Sequence, residues 1–207
     1  NYTFVGKPNN GTITLPIAAN NLNLCGNPYP SALDANDFIN ANLSSTTGSI
    51  YLWEHFTTNS THNLADYQGG YATYNLLASA SPISPTGVSG LGTSNRYPNR
   101  YLPVAQGFMV YGSATGGTIT FDNSQRNFKK EDDVASNVMF RQNSSASIID
   151  VNSNNAEDIT TEPEDNFAII RLGYNSANNY HREAVLGFAN DKATSAIDPG
   201  YDAVHLD

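Results

Sequence analysis

The sequence predicts an all-β fold of β-sandwich or jelly-roll type, with one short helix near residues 34–42. Three observations carry that expectation. Apolar and polar residues alternate with a period of two through most of the patterned segments, Gly, Asn and Pro clusters punctuate them, and a helical signature occurs once. No internal repeat of about 20–50 residues is visible, which sets propellers and solenoids aside.

The elements follow in chain order. Residues 11–17 alternate as a strand, and Asn9-Asn10-Gly11 ahead of them is a turn signal of the hairpin type. Residues 21–25 alternate again. Residues 31–42 read as the helix: Asp34 is placed to cap it, Asp37 sits at the third helical position, and Leu33 can pack back on Phe38. Ile50-Tyr51-Leu52-Trp53 is a short apolar strand. Residues 107–111 and 117–121 read as a hairpin joined through the Gly-flanked residues 112–116, with Asp122-Asn123-Ser124 closing the second strand. Further strands are expected at 137–141, 166–173 and 183–188. Residues 79–100, rich in Ser, Pro and Gly, and residues 144–164, rich in Asn and acids, read as long surface loops.

Composition bounds the function. The 207 residues are 39% apolar and 11% aromatic, with 12 Tyr and 9 Phe, enough to build one core, so residues 1–207 are read as a single domain. Only 14% of residues are charged, and Asn, Ser and Thr supply the polar surface, a composition common in exported β-proteins. A net charge of -9 disfavours a nucleic-acid partner. The adjacent cations Lys129-Lys130 run straight into Glu131-Asp132-Asp133. Apolar runs such as Phe167-Ala168-Ile169-Ile170 are strand-length, so the chain is not read as membrane-spanning. Cys25 is the single cysteine, excluding an internal disulfide and a multi-thiolate zinc site, and its strand-like context suits a buried thiol. The chain starts at Asn1 without an initiator Met, and residues 202–207 read as the beginning of a strand. Both ends look cut from a longer, multidomain chain.

Catalytic signatures fail on spacing. Gly87-Val88-Ser89-Gly90-Leu91-Gly92 has its second Gly directly after the Ser and is no nucleophile elbow, nor is it followed by the Lys of a phosphate loop. His55, His62, His181 and His205 include no pair three or four positions apart. Trp53-Glu54-His55 with His62 and Asp66 is a weak metal pattern, and His62 and Asp66 would share a face if that stretch were helical. Asp191, Asp198 and Asp202 are the candidates for a structural calcium, without the spacing of a helix-loop-helix calcium loop. No pair among the 19 acids stands out for glycoside hydrolysis. No catalytic residue, cofactor or metal is therefore assigned. For ligand binding, Tyr51, Trp53, Tyr67, Tyr71 and Tyr74 lie close in sequence, with Trp53, Tyr67 and Tyr71 the candidates to offer flat faces to a sugar. Trp53, in an apolar strand, is expected in the core.

Gly26-Asn27-Pro28-Tyr29-Pro30-Ser31-Ala32-Leu33-Asp34-Ala35 resembles a motif of large surface and secreted proteins of Bacteroidetes exported by the type IX secretion system. Further strings keep the same order as in those proteins: residues 2–11, Ile50-Tyr51-Leu52-Trp53, residues 66–75, Val104-Ala105-Gln106-Gly107-Phe108-Met109-Val110, residues 117–126, Phe140-Arg141, Ile170-Arg171-Leu172 and Gly200-Tyr201-Asp202-Ala203. The resemblance implies a module late in a multidomain chain, ahead of a sorting domain, at the cell surface or outside the cell. It implies no catalytic residue. The expectation is a non-catalytic structural or adhesive module, partnered by neighbouring domains of its parent chain, other surface proteins or copies of itself. A carbohydrate-binding module, partnered by polysaccharide, is the alternative.

Overall fold

The computed structural model describes residue 3 and residues 5–56, 61–85, 87–94, 96–129, 167–177, 181–204 and 206. The expected strand at 137–141 and the expected loop at 144–164 lie outside the described residues, as does His205.

The fold is all-β and sandwich-like, with a single α-helix among the described residues. In chain order the elements are β1 (Ile13–Ile17), β2 (Leu22–Gly26), β3 (Ala32–Asp34), α1 (Ala35–Asn42), β4 (Thr46–His55), β5 (Gly69–Tyr74), β6 (Ser79–Ile83), β7 (Tyr101–Leu102), β8 (Gly107–Gly112), β9 (Gly117–Phe121), β10 (Arg126–Asn127), β11 (Ala168–Asn175) and β12 (His181–Phe188). The main sheet is antiparallel in the order β2-β8-β4-β5-β6. Smaller antiparallel sheets are β1-β9, β10-β3-β7 and β11-β12. Among the described residues no helix is long and apolar enough to cross a membrane.

The hairpin expected between residues 107–111 and 117–121 does not form. β8 pairs with β2 and β4 in the main sheet, whereas β9 leaves it to pair with β1. β1 and β2 run beside β9 and β8 as one bent ribbon crossing from sheet to sheet. At the bend the pairing passes from Ile17↔Gly117 to Leu22↔Tyr111, so one strand advances five residues while the other advances six. That extra residue is a bulge, the usual device for turning a ribbon through a corner. Gly116 (φ 64°) fits because a Cβ there would come within 2.6 Å of the Ile17 carbonyl oxygen. The Asn9-Asn10-Gly11 turn makes no hairpin either. No described strand precedes it, and Gly11 is held from outside by the Asn123 side chain (3.0 Å) and the Tyr29 hydroxyl (2.7 Å).

Helix α1 closes the core between the main sheet and β1-β9. Ala35, Phe38, Ile39 and Asn42 are its buried residues, the i, i+3, i+4, i+7 stripe of a one-faced helix. Phe38 meets Phe108 edge-on at 5.3 Å and Phe121 at 5.0 Å. Asp34 caps the helix as expected, accepting from the Asn36 amide at 3.0 Å, and Arg100 clasps the same carboxylate with Nε at 2.9 Å from Oδ1 and a terminal nitrogen 2.9 Å from Oδ2. Leu33 and Phe38 both belong to the core cluster, as does Cys25, whose thiol burial pushes upward in pKa. At the other end, the Asn42 amide donates to the Thr120 carbonyl (3.0 Å) and its oxygen accepts from the Thr120 amide (2.7 Å). The side chain thus pairs with the free edge of β9. Asp122 and Gln125 form a capping box on the 3-10 helix Asn123–Gln125, which closes β9.

Two expectations are corrected at the edges. Ser79–Ile83, read as loop, is the edge strand β6, a position that tolerates Pro82. Residues 202–204 begin no strand. Asp202 makes only an isolated bridge to Pro199, and the segment crosses the outer face of the main sheet.

Candidate functional site

The parity of β4 decides which side chains face outward. Ile50 and Leu52 point into the core, so Glu54 shares their face, and Tyr51, Trp53 and His55 point to the opposite, outer face. Trp53 is therefore not in the core, as expected from its apolar strand, but 40% exposed. Across the ladder it pairs with Tyr71 of β5, whose ring meets the indole edge-on at 4.8 Å.

Tyr67 reaches the same spot from the loop ahead of β5. A turn at residues 63–67 delivers it: the Asn63 carbonyl accepts from the amides of Asp66 (3.0 Å) and Tyr67 (2.9 Å), while the Asn63 side chain donates to the Asp66 carboxylate (2.7 Å). The stretch from His62 to Asp66 is this turn and not a helix. The Tyr67 ring lies nearly parallel to the indole (17°) with centroids 6.0 Å apart, and its hydroxyl accepts from Trp53 Nε1 at 3.1 Å. The His55 ring is tilted 45° against Tyr67, with centroids 4.9 Å apart. Gly69 makes the seat: a Cβ there would lie 2.8 Å from the Tyr67 ring and 2.9 Å from the indole. Trp53, Tyr67 and Tyr71, chosen in the sequence only for proximity, are thus one cluster on the outer face.

The carboxylates have other occupations. Glu54 is turned away from His55, so the Trp53-Glu54-His55 pattern cannot gather around one metal. Its carboxylate accepts from the Ser94 hydroxyl (2.8 Å) and sits 3.4 Å from Arg96, and burial holds its pKa above the ordinary carboxylate value. Glu183 pairs with Arg171 at 3.0 Å and accepts from the Tyr97 hydroxyl at 3.1 Å. The calcium candidates do not converge. Asp198 spends both oxygens on the amide and hydroxyl of Thr194 (each 2.7 Å), which holds its pKa below the ordinary value. Asp202 accepts from the Asp198 amide (2.8 Å), and Asp191 lies in the 3-10 helix Asn190–Lys192. Among the described residues no three His, Cys, Asp or Glu side chains gather where they could hold a metal ion. His181 contacts the Asn175 side chain oxygen.

Residues 202–204 leave a hollow on either side of their path. One, of about 410 Å³, is walled by Tyr51, Tyr111, Ile197, Val204 and Leu206. The other, of about 210 Å³, lies over Thr73 and Asn75 beside β12, and the buried Thr73 hydroxyl has no hydrogen-bond partner among the described residues.

The last feature went unread in the sequence. In the β11-β12 ribbon, cross-strand pairs share a face. Arg171, Glu183 and Gly187 turn toward the body, where Arg171 lies over the Tyr97 ring at 4.4 Å and Gly187 sits on Leu77. The opposite face carries Phe188, Ile170, Leu186, Leu172 and Tyr174, each 46–66% exposed. The signal lay in Ile170, Leu172 and Tyr174, an unbroken apolar parity opposite Arg171 and Gly173.

Over residues 1–207 the chain belongs to the family described as a domain of unknown function, DUF8693. No curated protein and no solved structure matches it.

Proposed function

We propose that the chain is a non-catalytic structural or adhesive module of a larger exported protein at a bacterial surface, and that its β11-β12 ribbon docks on a neighbouring domain of the same parent chain. The uncovered apolar face of that ribbon carries the reading. Contiguous exposed apolar patches of this kind mark interaction surfaces in soluble proteins. The face spans eight residues of each strand, a strip about 25 Å long and about 10 Å wide. That is well below the about 800 Å² per partner of a stable free-standing complex. A tethered neighbour, held at high effective concentration, needs far less contact than a freely diffusing one. The location rests on the sequence alone: the resemblance of its ordered motifs to those of Bacteroidetes surface proteins, and a composition rich in Asn, Ser and Thr.

Hydrogen exchange on the 207-residue chain and on its longer natural protein tests the reading. The amides of β11 and β12 are expected to exchange fast in the first and to be protected in the second, and Leu172→Glu is expected to abolish the added protection. Equal exchange in both contexts sinks the proposal. So does concentration-dependent dimerisation of the isolated chain through this face.

A further inference from the structure

We propose that Trp53, Tyr67 and Tyr71 form a binding platform for a neutral glycan, which stacks the CH-rich face of a sugar ring on the Trp53 indole. The site lies apart from the β11-β12 face and does not depend on the docking reading.

Four observations converge on this ligand. The indole is 40% exposed on the outer face of a sheet, where nothing in the packing of the core requires it. It is also held still: Tyr67 accepts its N–H at 3.1 Å, Tyr71 meets it at a steep angle (74°) with centroids 4.8 Å apart, and Gly69 leaves room beside both the indole and the Tyr67 ring. A fixed aromatic surface loses little conformational freedom when a ligand settles on it. The surrounding polarity suits hydroxyl groups. Tyr67 receives a hydrogen bond and keeps its own proton to donate, the His55 ring stands beside it, and the exposed turn bearing Asn63 and Asp66 leads directly into it. Finally, a chain of net charge -9 repels acidic polymers and leaves uncharged sugars favoured. A proline-rich peptide also docks on aromatic rings, but it uses grooves between them. Here Tyr67 lies nearly parallel to the indole (17°) and Tyr71 meets it at 74°, and the exposed part of the indole is the surface a ligand would reach.

Trp53 is the sole tryptophan, so its emission reports on the site directly. The test titrates the full chain with cellohexaose, laminarihexaose, xylohexaose, mannohexaose and maltohexaose, with a polygalacturonate oligomer and a proline-rich decapeptide as contrasts. In parallel, affinity electrophoresis runs the chain through gels containing the corresponding neutral polymers. At least one neutral glycan is expected to shift the emission saturably and retard migration, while the acidic oligomer and the peptide do neither. Trp53→Ala is expected to lose retardation with an unchanged melting temperature. Tyr67→Phe, which removes only the oxygen anchoring the indole, is expected to weaken binding about 2- to 10-fold. Should Trp53→Ala unfold, Tyr67→Phe and Trp53→Phe carry the test by their weakened retardation. Leu172→Glu is expected to leave glycan binding unchanged, so this proposal and the docking proposal fail separately. The platform is overturned if no neutral glycan acts in either assay, if binding survives the loss of Trp53, or if the peptide alone binds.

Discussion

Helix α1 and the β11-β12 ribbon draw on the same kinds of apolar residue and treat them in opposite ways. Around α1, Phe38, Ile39, Phe108 and Phe121 are almost wholly buried, and the polar groups taken inside with them are each matched, Asp34 by Arg100 and helix amides, Asn42 by both backbone groups of Thr120. In the ribbon, Leu172 and Tyr174 stand in solvent, and the ordering contacts are polar ones on the other face, Arg171 with Glu183 and Tyr97 with Glu183. The helix contributes stability through enclosure. The ribbon leaves its apolar side chains exposed.

That contrast can be broken at its strongest point first. Phe38→Ala is expected to cost about 3–5 kcal/mol in denaturant unfolding, because a ring held between Phe108 and Phe121 leaves a cavity that cannot collapse. Asp34→Ala is expected to cost about 2–4 kcal/mol. The lost cap contributes about 1 kcal/mol, and abandoning the Arg100 guanidinium adds less than the about 3–5 kcal/mol typical of a fully buried broken pair, because Arg100 keeps some contact with water. Glu54→Gln reverses the sign. Burial raises the folded carboxyl above its ordinary 4.5, so the folded state binds the proton more tightly than the unfolded chain does. Glu54 therefore opposes folding once pH rises past that ordinary value. The Gln variant is expected to gain up to about 1 kcal/mol at neutral pH, a gain that vanishes in melts below pH 4.5. Leu172→Glu is the smallest effect, within about 0.5 kcal/mol of zero in the isolated chain, as for an exposed surface site.

Local chemistry was legible in the sequence, and long-range partnership was not. The places of β1, β2, β8 and β9, to within two residues, follow from local patterning and flanking glycines, and the Asp34 cap from its spacing to Asp37, because both are settled by residues within a few positions. That β8 and β9 belong to different sheets depends on β1 and β2, about a hundred residues away, and the Gly-rich link between them suits a hairpin and a corner equally well. β6 was unreadable because Ser79, Ala80, Ser81 and Pro82 carry no strand signal of their own. Only their place at the edge of the main sheet makes them one. The same limit governs the platform. In Ile50-Tyr51-Leu52-Trp53 all four residues are apolar, so the run cannot say which parity meets the core. Tyr51 and Trp53 share a face, yet the first is buried and the second is 40% exposed. Nothing local marks Gly69 as the residue that leaves room for the Tyr67 ring and the indole together.

The bent ribbon also fixes a timetable. Ile13 has its ladder partner in Phe121 and Leu22 has its own in Tyr111, so the first strands made are without a place until nearly the last residue of β9 exists. A chain emerging end-first from a ribosome or a narrow pore is kept open over that whole interval. Folds dominated by such distant pairings close at a millisecond-to-second pace.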